Sequence, residues 1–235
     1  MKSTKVLITA PLQQETKIFR EYQDALDRLI IPEGVIVDRF FVVNDCPKVI
    51  PYIRGNYVII NTGDKYQKAV NTHCWSHDNL TKMHGLRNAT IQAALDGGYD
   101  YWFSVDTDLV LQPETLCALL AADKDIVAEI FWTNGWCNAW LYDQASGMRD
   151  EWKTPGLYEC GGTGACMLVK REVFEAGVDY TQIPNIYKAV WGEDRHFCIR
   201  AACHGYTIWL DTHYPPEHLY TEYDYQKFMA RRRQG

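Results

Sequence analysis

The chain has 235 residues, 47% of them hydrophobic, with 24 Lys and Arg against 30 Asp and Glu for a formal net charge of -6. That is enough apolar material for one sizeable core and near the upper end of what one core supports, so residues 1–235 read as a single domain. The acidic balance excludes general affinity for nucleic acid while leaving room for a local phosphate pocket, and no stretch is apolar enough to be a transmembrane segment.

Met1 to Lys5 runs straight into Val6–Ala10, too short an apolar run for a signal-peptide core, so a cytoplasmic location is expected. Eight cysteines are scattered without a C-x-x-C pair and read as buried free thiols.

Lys5 to Leu12 reads as a first buried strand. Ile18, Tyr22, Leu26 and Leu29 recur at helical spacing, which predicts an amphipathic helix over Glu15–Ile31, broken by Pro32-Glu33-Gly34. Val35–Val43 is a second strand ending at Asn44-Asp45, and Tyr57–Asn61 a third. A helix capped by Asn79 or Thr81 runs to about Leu95 and stops at Gly97-Gly98. Tyr101–Val105 is a buried strand, Pro113 opens the next helix, and Asp125–Trp132 is another strand. The second half is less regular, with a strand over Ala165–Lys170, a helix over Glu193–His204 and a strand over Thr207–Asp211. The tail Arg231-Arg232-Arg233 reads as disordered. Strand and helix alternate through the first half, so the fold class is α/β, a mostly parallel central sheet flanked by helices. In such sheets ligands bind beyond the carboxyl ends of the strands.

The sharpest chemical feature is Tyr101-Trp102-Phe103-Ser104-Val105-Asp106-Thr107-Asp108, an apolar strand that delivers two carboxylates at its end. Carboxylate oxygens are hard ligands suited to Mg²⁺ or Mn²⁺ and can share such an ion with a substrate diphosphate. Asp123-Lys124-Asp125 has the same spacing but falls in a turn before a strand, where a solvated loop explains it. Glu193-Asp194 opens a helix, so either the pair is ordinary N-terminal capping or Asp194 is a general base for a hydroxyl nucleophile. His213 and His218 follow the last strand, where imidazole could complete a carboxylate metal site. Gly161-Gly162-Thr163-Gly164 fits a close backbone approach or a plain turn. Trp132, Trp136 and Trp140 could stack on a sugar ring or anchor the core.

Taken in order, these features resemble the GT-A fold glycosyltransferases, especially the family 2-like group. The likeness runs from Thr9-Ala10-Pro11-Leu12 through Asp45, the Arg87-Asn88 helix, Asp106 to Asp108, Gly161 to Arg171, Glu193-Asp194 with Arg200 behind it, and a closing His. The second strand departs from the family in lacking its Asp-Gly-Ser ending.

The resemblance implies a nucleotide-binding half over about residues 1–110 and an acceptor-binding half over about 111–235. Thr9, Ala10, Pro11, Asp45, Arg87, Asp106, Thr107 and Gly162 would contact the donor, with Asp45 and Arg87 at the base or ribose. Asp106, Asp108 and His218 would hold Mn²⁺ or Mg²⁺, with His213 as the competitor to His218. Asp194, beside Glu193, would activate the acceptor. The implied reaction moves a hexosyl group from a nucleotide sugar, most commonly a UDP-sugar, to a carbohydrate, protein or lipid-linked hydroxyl with inversion. A retaining transferase and a non-catalytic nucleotide-sugar-binding module are the alternatives. A nucleotidyltransferase would carry a Gly-rich basic loop after the first strand, and Ala10-Pro11-Leu12-Gln13-Gln14 is not one.

Overall fold

The computed structural model describes residues 3–63, 77–142, 147–184, 186 and 192–233. Cys74 and Trp191 lie outside these residues. In chain order the elements are β1 (Thr4–Leu12), α1 (Thr16–Asp27), β2 (Val35–Asn44), β3 (Asn56–Ile60), α2 (His77–Asp96), β4 (Tyr101–Ser104), β5 (Leu109–Val110), α3 (Thr115–Ala121) and β6 (Ile126–Glu129). There follow β7 (Trp132–Thr133), β8 (Trp136–Cys137), β9 (Ala139–Trp140), β10 (Leu157–Cys160), β11 (Gly162–Thr163), β12 (Met167–Lys170), α4 (Arg171–Glu175), α5 (Asp194–Cys203), β13 (Ile208–Asp211), β14 (Glu217–His218) and α6 (Glu222–Arg232). Short 3₁₀ turns sit at Pro47–Tyr52 and Asp150–Lys153.

The described residues form an eight-stranded sheet in the order β10-β13-β6-β12-β4-β1-β2-β3. Six strands, from β1 to β4 together with β6 and β13, run one way; β12 and β10 run against them. The sheet is therefore mostly parallel, as the alternating pattern predicts.

Period-two alternation places the core. Along β1, Val6, Ile8, Ala10 and Leu12 face a cluster with Phe19, Tyr22 and Leu26 of α1 and Leu116 and Leu119 of α3. Leu7 faces the opposite cluster, where Ile91 and Ala94 of α2 meet Phe174 of α4 and Phe197 and Ala201 of α5. β1 lies between β2 and β4 with helices over both faces, which is why it reads as an uninterrupted apolar run.

Several sequence expectations are trimmed. α1 stops at Asp27, not Ile31, because the chain turns at Arg28 and Ile30 donates its N–H to the Pro113 carbonyl at 2.8 Å. The residue before Pro32 also disfavours helical backbone. α3 starts at Thr115, two residues past Pro113, and α2 starts at His77, ahead of Asn79. Asp125–Trp132 divides into β6 and the separate β7.

The tail expected to be disordered is a helix. Thr221 and Asp224 form a reciprocal capping box at the start of α6. Ion pairs then tie α6 down: Glu222 with Lys17, Arg232 with Glu21, and Arg231 with Glu217 at 2.7 Å. Cys46, Cys160, Cys166 and Cys198 are buried free thiols, whereas Cys203 is exposed, contrary to the expectation. Among the described residues no helix is long and apolar enough to cross a membrane.

Candidate active site

A cavity of about 330 Å³ opens at the carboxyl edge of the sheet. Its walls bring together Pro11 from β1, Arg87 from α2, Asp106, Thr107 and Asp108 after β4, Glu193 and Asp194 at α5, and His218 of β14. Asp123 and Asp125 lie elsewhere. They precede β6 at the opposite edge and pair with Lys170 at 3.0 and 3.2 Å, a solvated turn as expected.

Local pairing explains how His218 arrives. After Asp106 the chain turns, with the Leu109 N–H donating to the Asp106 carbonyl, and β5 pairs antiparallel with β14. His218 lies opposite Leu109, and the Leu219 N–H donates to the Asp108 carbonyl at 2.8 Å. This puts His218 Nε2 3.5 Å from Asp108 Oδ2. The Thr133 hydroxyl, 2.7 Å from His218 Nδ1, fixes the ring from behind. His213 does not line the cavity; its Nδ1 lies 2.8 Å from Asp211 Oδ1.

A buried cation organises the carboxylates. Arg87 is 3% exposed and donates to Asp106 Oδ1 at 2.7 Å, to Ser104 Oγ at 2.8 Å and to Glu193 Oε1 at 3.3 Å. Its guanidinium lies 6.0 Å from the Tyr180 ring. Burial opposes the charge, but Asp106 and Glu193 together keep Arg87 firmly protonated. Glu193, at the N-cap of α5, makes no side-chain cap hydrogen bond, and Asp194 stands in the first turn of the helix.

Asp194 packs over Gly164 so closely that a methyl group there would stand 2.0 Å from its Oδ2. Its carboxyl is pushed well above the usual carboxylate range, first by burial and then by the Glu193 charge, against the pull of Arg87. Among the described residues, one oxygen each of Glu193 and Asp194 has no hydrogen-bond partner.

Asp108 and His218 supply an oxygen and an imidazole nitrogen at a separation that fits two neighbouring ligands of one ion, each about 2.1 Å from it. Mixed oxygen and imidazole donors suit Mn²⁺ better than Mg²⁺. Among the described residues no three His, Cys, Asp or Glu side chains are grouped to hold a metal alone, and Asp106, expected as a ligand, gives an oxygen to Arg87.

Other expected donor contacts fall outside the cavity. Thr9 and Ala10 are fully buried, so only Pro11 of that trio reaches it. Asp45, at a left-handed φ of 47°, accepts from the Thr62 N–H and hydroxyl and the Gly63 N–H, while neighbouring Asn44 lines the cavity. The Thr62 hydrogen bond leads in holding the Asp45 carboxyl below its ordinary range. Gly162 is occupied by Trp140, whose ring edge would lie 2.5 Å from an added methyl; Gly164 and Ala165 line the cavity instead.

Trp136, one of the three candidate stacking tryptophans, reaches the cavity on a hairpin that the strand pattern left unmarked. β7 and β8 form a hairpin turned by Asn134-Gly135, both at positive φ, and bring Trp136 to the rim. An Asn-Gly step between two strand-like runs is the signal that could have found it. Asn138 anchors the hairpin: its amide nitrogen donates to the Gly164 carbonyl at 2.9 Å, and its oxygen accepts from the Phe131 N–H at 2.9 Å.

No family model matches the chain. Solved structures do. The mannosyltransferase PcManGT from Pyrobaculum calidifontis, in complex with GDP-Man and Mn²⁺, superposes with a TM-score of 0.59 at 13% identity, over 98% of this chain and 61% of that one. TarS from S. aureus, in complex with UDP-GlcNAc, gives 0.54 at 12% identity, over 90% of this chain and 58% of that one. A CMP:2-keto-3-deoxy-manno-octonic acid synthetase complexed with CTP gives 0.54 at 13% identity, over 100% and 99%. The chain thus spans about 60% of the length of the two transferases. At these identities the likeness is one of fold, and the fold is of the GT-A type.

Proposed function

We propose that the chain is a metal-dependent glycosyltransferase that moves a hexosyl group from a nucleotide sugar to a hydroxyl acceptor with inversion. The observation that carries the reading is one cavity holding both a two-donor metal set, Asp108 and His218, and a carboxyl of raised pKa, Asp194. Neighbours of the same fold captured with UDP-GlcNAc and with GDP-Man and Mn²⁺ support it.

In this reading Asp108 and His218 hold Mn²⁺, which when bound supplies charge neutralisation for the diphosphate leaving group. Arg87, fixed between Asp106 and Glu193, holds Asp106 in place for the ribose or diphosphate. Pro11, Asn44 and Thr107 line the donor side. The acceptor hydroxyl oxygen attacks the anomeric carbon. The bond from that carbon to the phosphate oxygen breaks with its electron pair staying on the diphosphate. The hydroxyl proton passes to Asp194, whose affinity for a proton is raised first by burial and then by the Glu193 charge. Residues 1–110 then act mainly on the nucleotide and 111–235 on the acceptor, with His218 crossing over to the metal.

The test is release of nucleoside diphosphate from UDP-GlcNAc, UDP-Glc, UDP-Gal and GDP-Man with Mn²⁺, in the wild type and in Asp194→Asn. Retained UDP binding with loss of transfer is the expected result for the variant. Normal transfer by Asp194→Asn rejects the base assignment, and the anomeric configuration of the product by NMR separates inversion from retention.

A further inference from the structure

We propose that Trp136 and Trp140 form a saccharide-stacking platform beside Asp194, which makes the acceptor a carbohydrate. For the role of Asp194 the inference rests on the transferase reading above.

The first observation concerns what two glycines clear. Gly162 lies in β11 and Gly164 just past its end. The space beside Gly162 is filled by the Trp140 indole, and that beside Gly164 by the Asp194 carboxyl. Two glycines one residue apart therefore seat the indole and the base against the same short stretch of backbone, and both Trp140 and Asp194 line the cavity.

The second observation is that the platform is built before any ligand arrives. The Arg195 guanidinium lies 4.6 Å from the Trp140 ring centroid. β9 is paired with β11, which fixes the Trp140 backbone against Gly162. A rigid indole loses little entropy on binding, which is what an affinity surface needs.

The third is Trp136. Its side chain lies on the cavity rim yet is 58% exposed, held there by the Asn134-Gly135 turn and by pairing of Thr133 with Trp136. The same hairpin carries Thr133, the partner of His218, so the platform and the metal set belong to one braced unit. A pyranose offers a patch of C–H groups to stack on an indole face and a rim of hydroxyls to reach polar neighbours, a combination of apolar wall and few polar groups typical of such cavities. An extended protein segment would instead be expected to find an open strand edge, and a bare lipid alcohol has no ring to stack.

The experiment is saturation-transfer NMR on the full chain with cellobiose, maltose, lactose and diacetylchitobiose as probes, alongside calorimetry of UDP with Mn²⁺. At least one saccharide is expected to receive saturation on its ring protons. Trp136→Ala is expected to weaken that saccharide about tenfold, while UDP affinity stays within about twofold. Trp140→Ala serves as the second variant, with circular dichroism as its folding check. No saturation of any probe by the wild type overturns the platform, as does saturation undiminished in both variants. Loss of UDP affinity in Trp136→Ala also overturns it, because the indole then holds the donor base. Failure of the wild type to bind UDP or to hydrolyse any nucleotide sugar counts against the transferase reading instead, and leaves the saccharide result to stand by itself.

Discussion

The Thr133 hydroxyl lies 2.7 Å from Nδ1 of His218 and leaves Nε2 facing Asp108. A partner on the far nitrogen fixes both the tautomer and the ring angle of a metal-ligating histidine. Thr133→Val keeps the shape and removes the partner. It is expected to weaken Mn²⁺ binding in the presence of UDP by about tenfold, read by calorimetry. His218→Ala should lose more. Equal affinity in Thr133→Val and the wild type would show that the hydroxyl does not orient the ligand.

Arg87 and Glu193 are 3% and 2% exposed and sit 3.3 Å apart. A buried pair of this kind adds little over an apolar replacement, but breaking it strands a charge. Arg87→Met is therefore expected to cost about 3–5 kcal/mol in urea denaturation. The double variant Arg87→Met/Glu193→Gln should recover part of that loss, since the stranded charge is gone. A double variant no more stable than Arg87→Met would mean that lost packing, not charge, sets the cost.

How much of this was visible beforehand depends on the range of the forces involved. The placing of Asp106 and Asp108 just past the carboxyl end of a strand was legible, because an apolar run and its end are local pattern. Asp194 was legible as a candidate for the same reason, and its surroundings were not, since the Arg87 charge acts on it from α2 and Gly164 meets it from the residue after β11. The choice of His218 over His213 hangs on a two-residue pairing of β14 with β5, too short to leave any periodicity. Thr9, Ala10 and Gly162 were misplaced because a family motif names a neighbourhood. Which side chains face the cavity is decided by the pleat and by what packs behind it. The α6 helix was missed although its capping box, Thr221 to Asp224, was readable; the ion pairs to Lys17 and Glu21 that hold it were not.

Glu129 and Asp211 pair across β6 and β13, both buried, and among the described residues one Glu129 oxygen has no hydrogen-bond partner. Burial and the Asp211 charge push the Glu129 pKa up to about 9. An acid raised on folding is protonated in the native chain and ionised in the unfolded one across the interval between its two pKa values. The unfolded state then binds fewer protons, so stability falls as pH rises from about 4.5 towards 9. Glu129→Gln keeps the oxygen that accepts from the Tyr214 N–H and removes the ionisation. Relative to the wild type, the variant is expected to gain roughly 2–4 kcal/mol between about pH 5 and pH 8, measured by urea denaturation at each pH. Parallel pH profiles for the two proteins would place the ionisation elsewhere.

The Asp194 carboxyl is pushed up first by burial and next by the Glu193 charge, with Arg87 pulling the other way. A base must be ionised to accept a proton, so kcat/KM for transfer should climb with pH along an acid limb above the usual carboxylate range. Removing a neighbouring negative charge makes ionisation easier, so Glu193→Gln should shift that limb to lower pH. A purely structural role for Glu193 would lower the rate at every pH and leave the limb where it is. Gly164→Ala supplies the geometric counterpart. The added methyl would stand 2.0 Å from Asp194 Oδ2, so the carboxyl must swing away. The expected result is a fall in kcat of about a hundredfold with UDP affinity preserved, read by steady-state kinetics and calorimetry. An unchanged kcat in Gly164→Ala would mean that the carboxyl over this glycine is not the group that takes the proton.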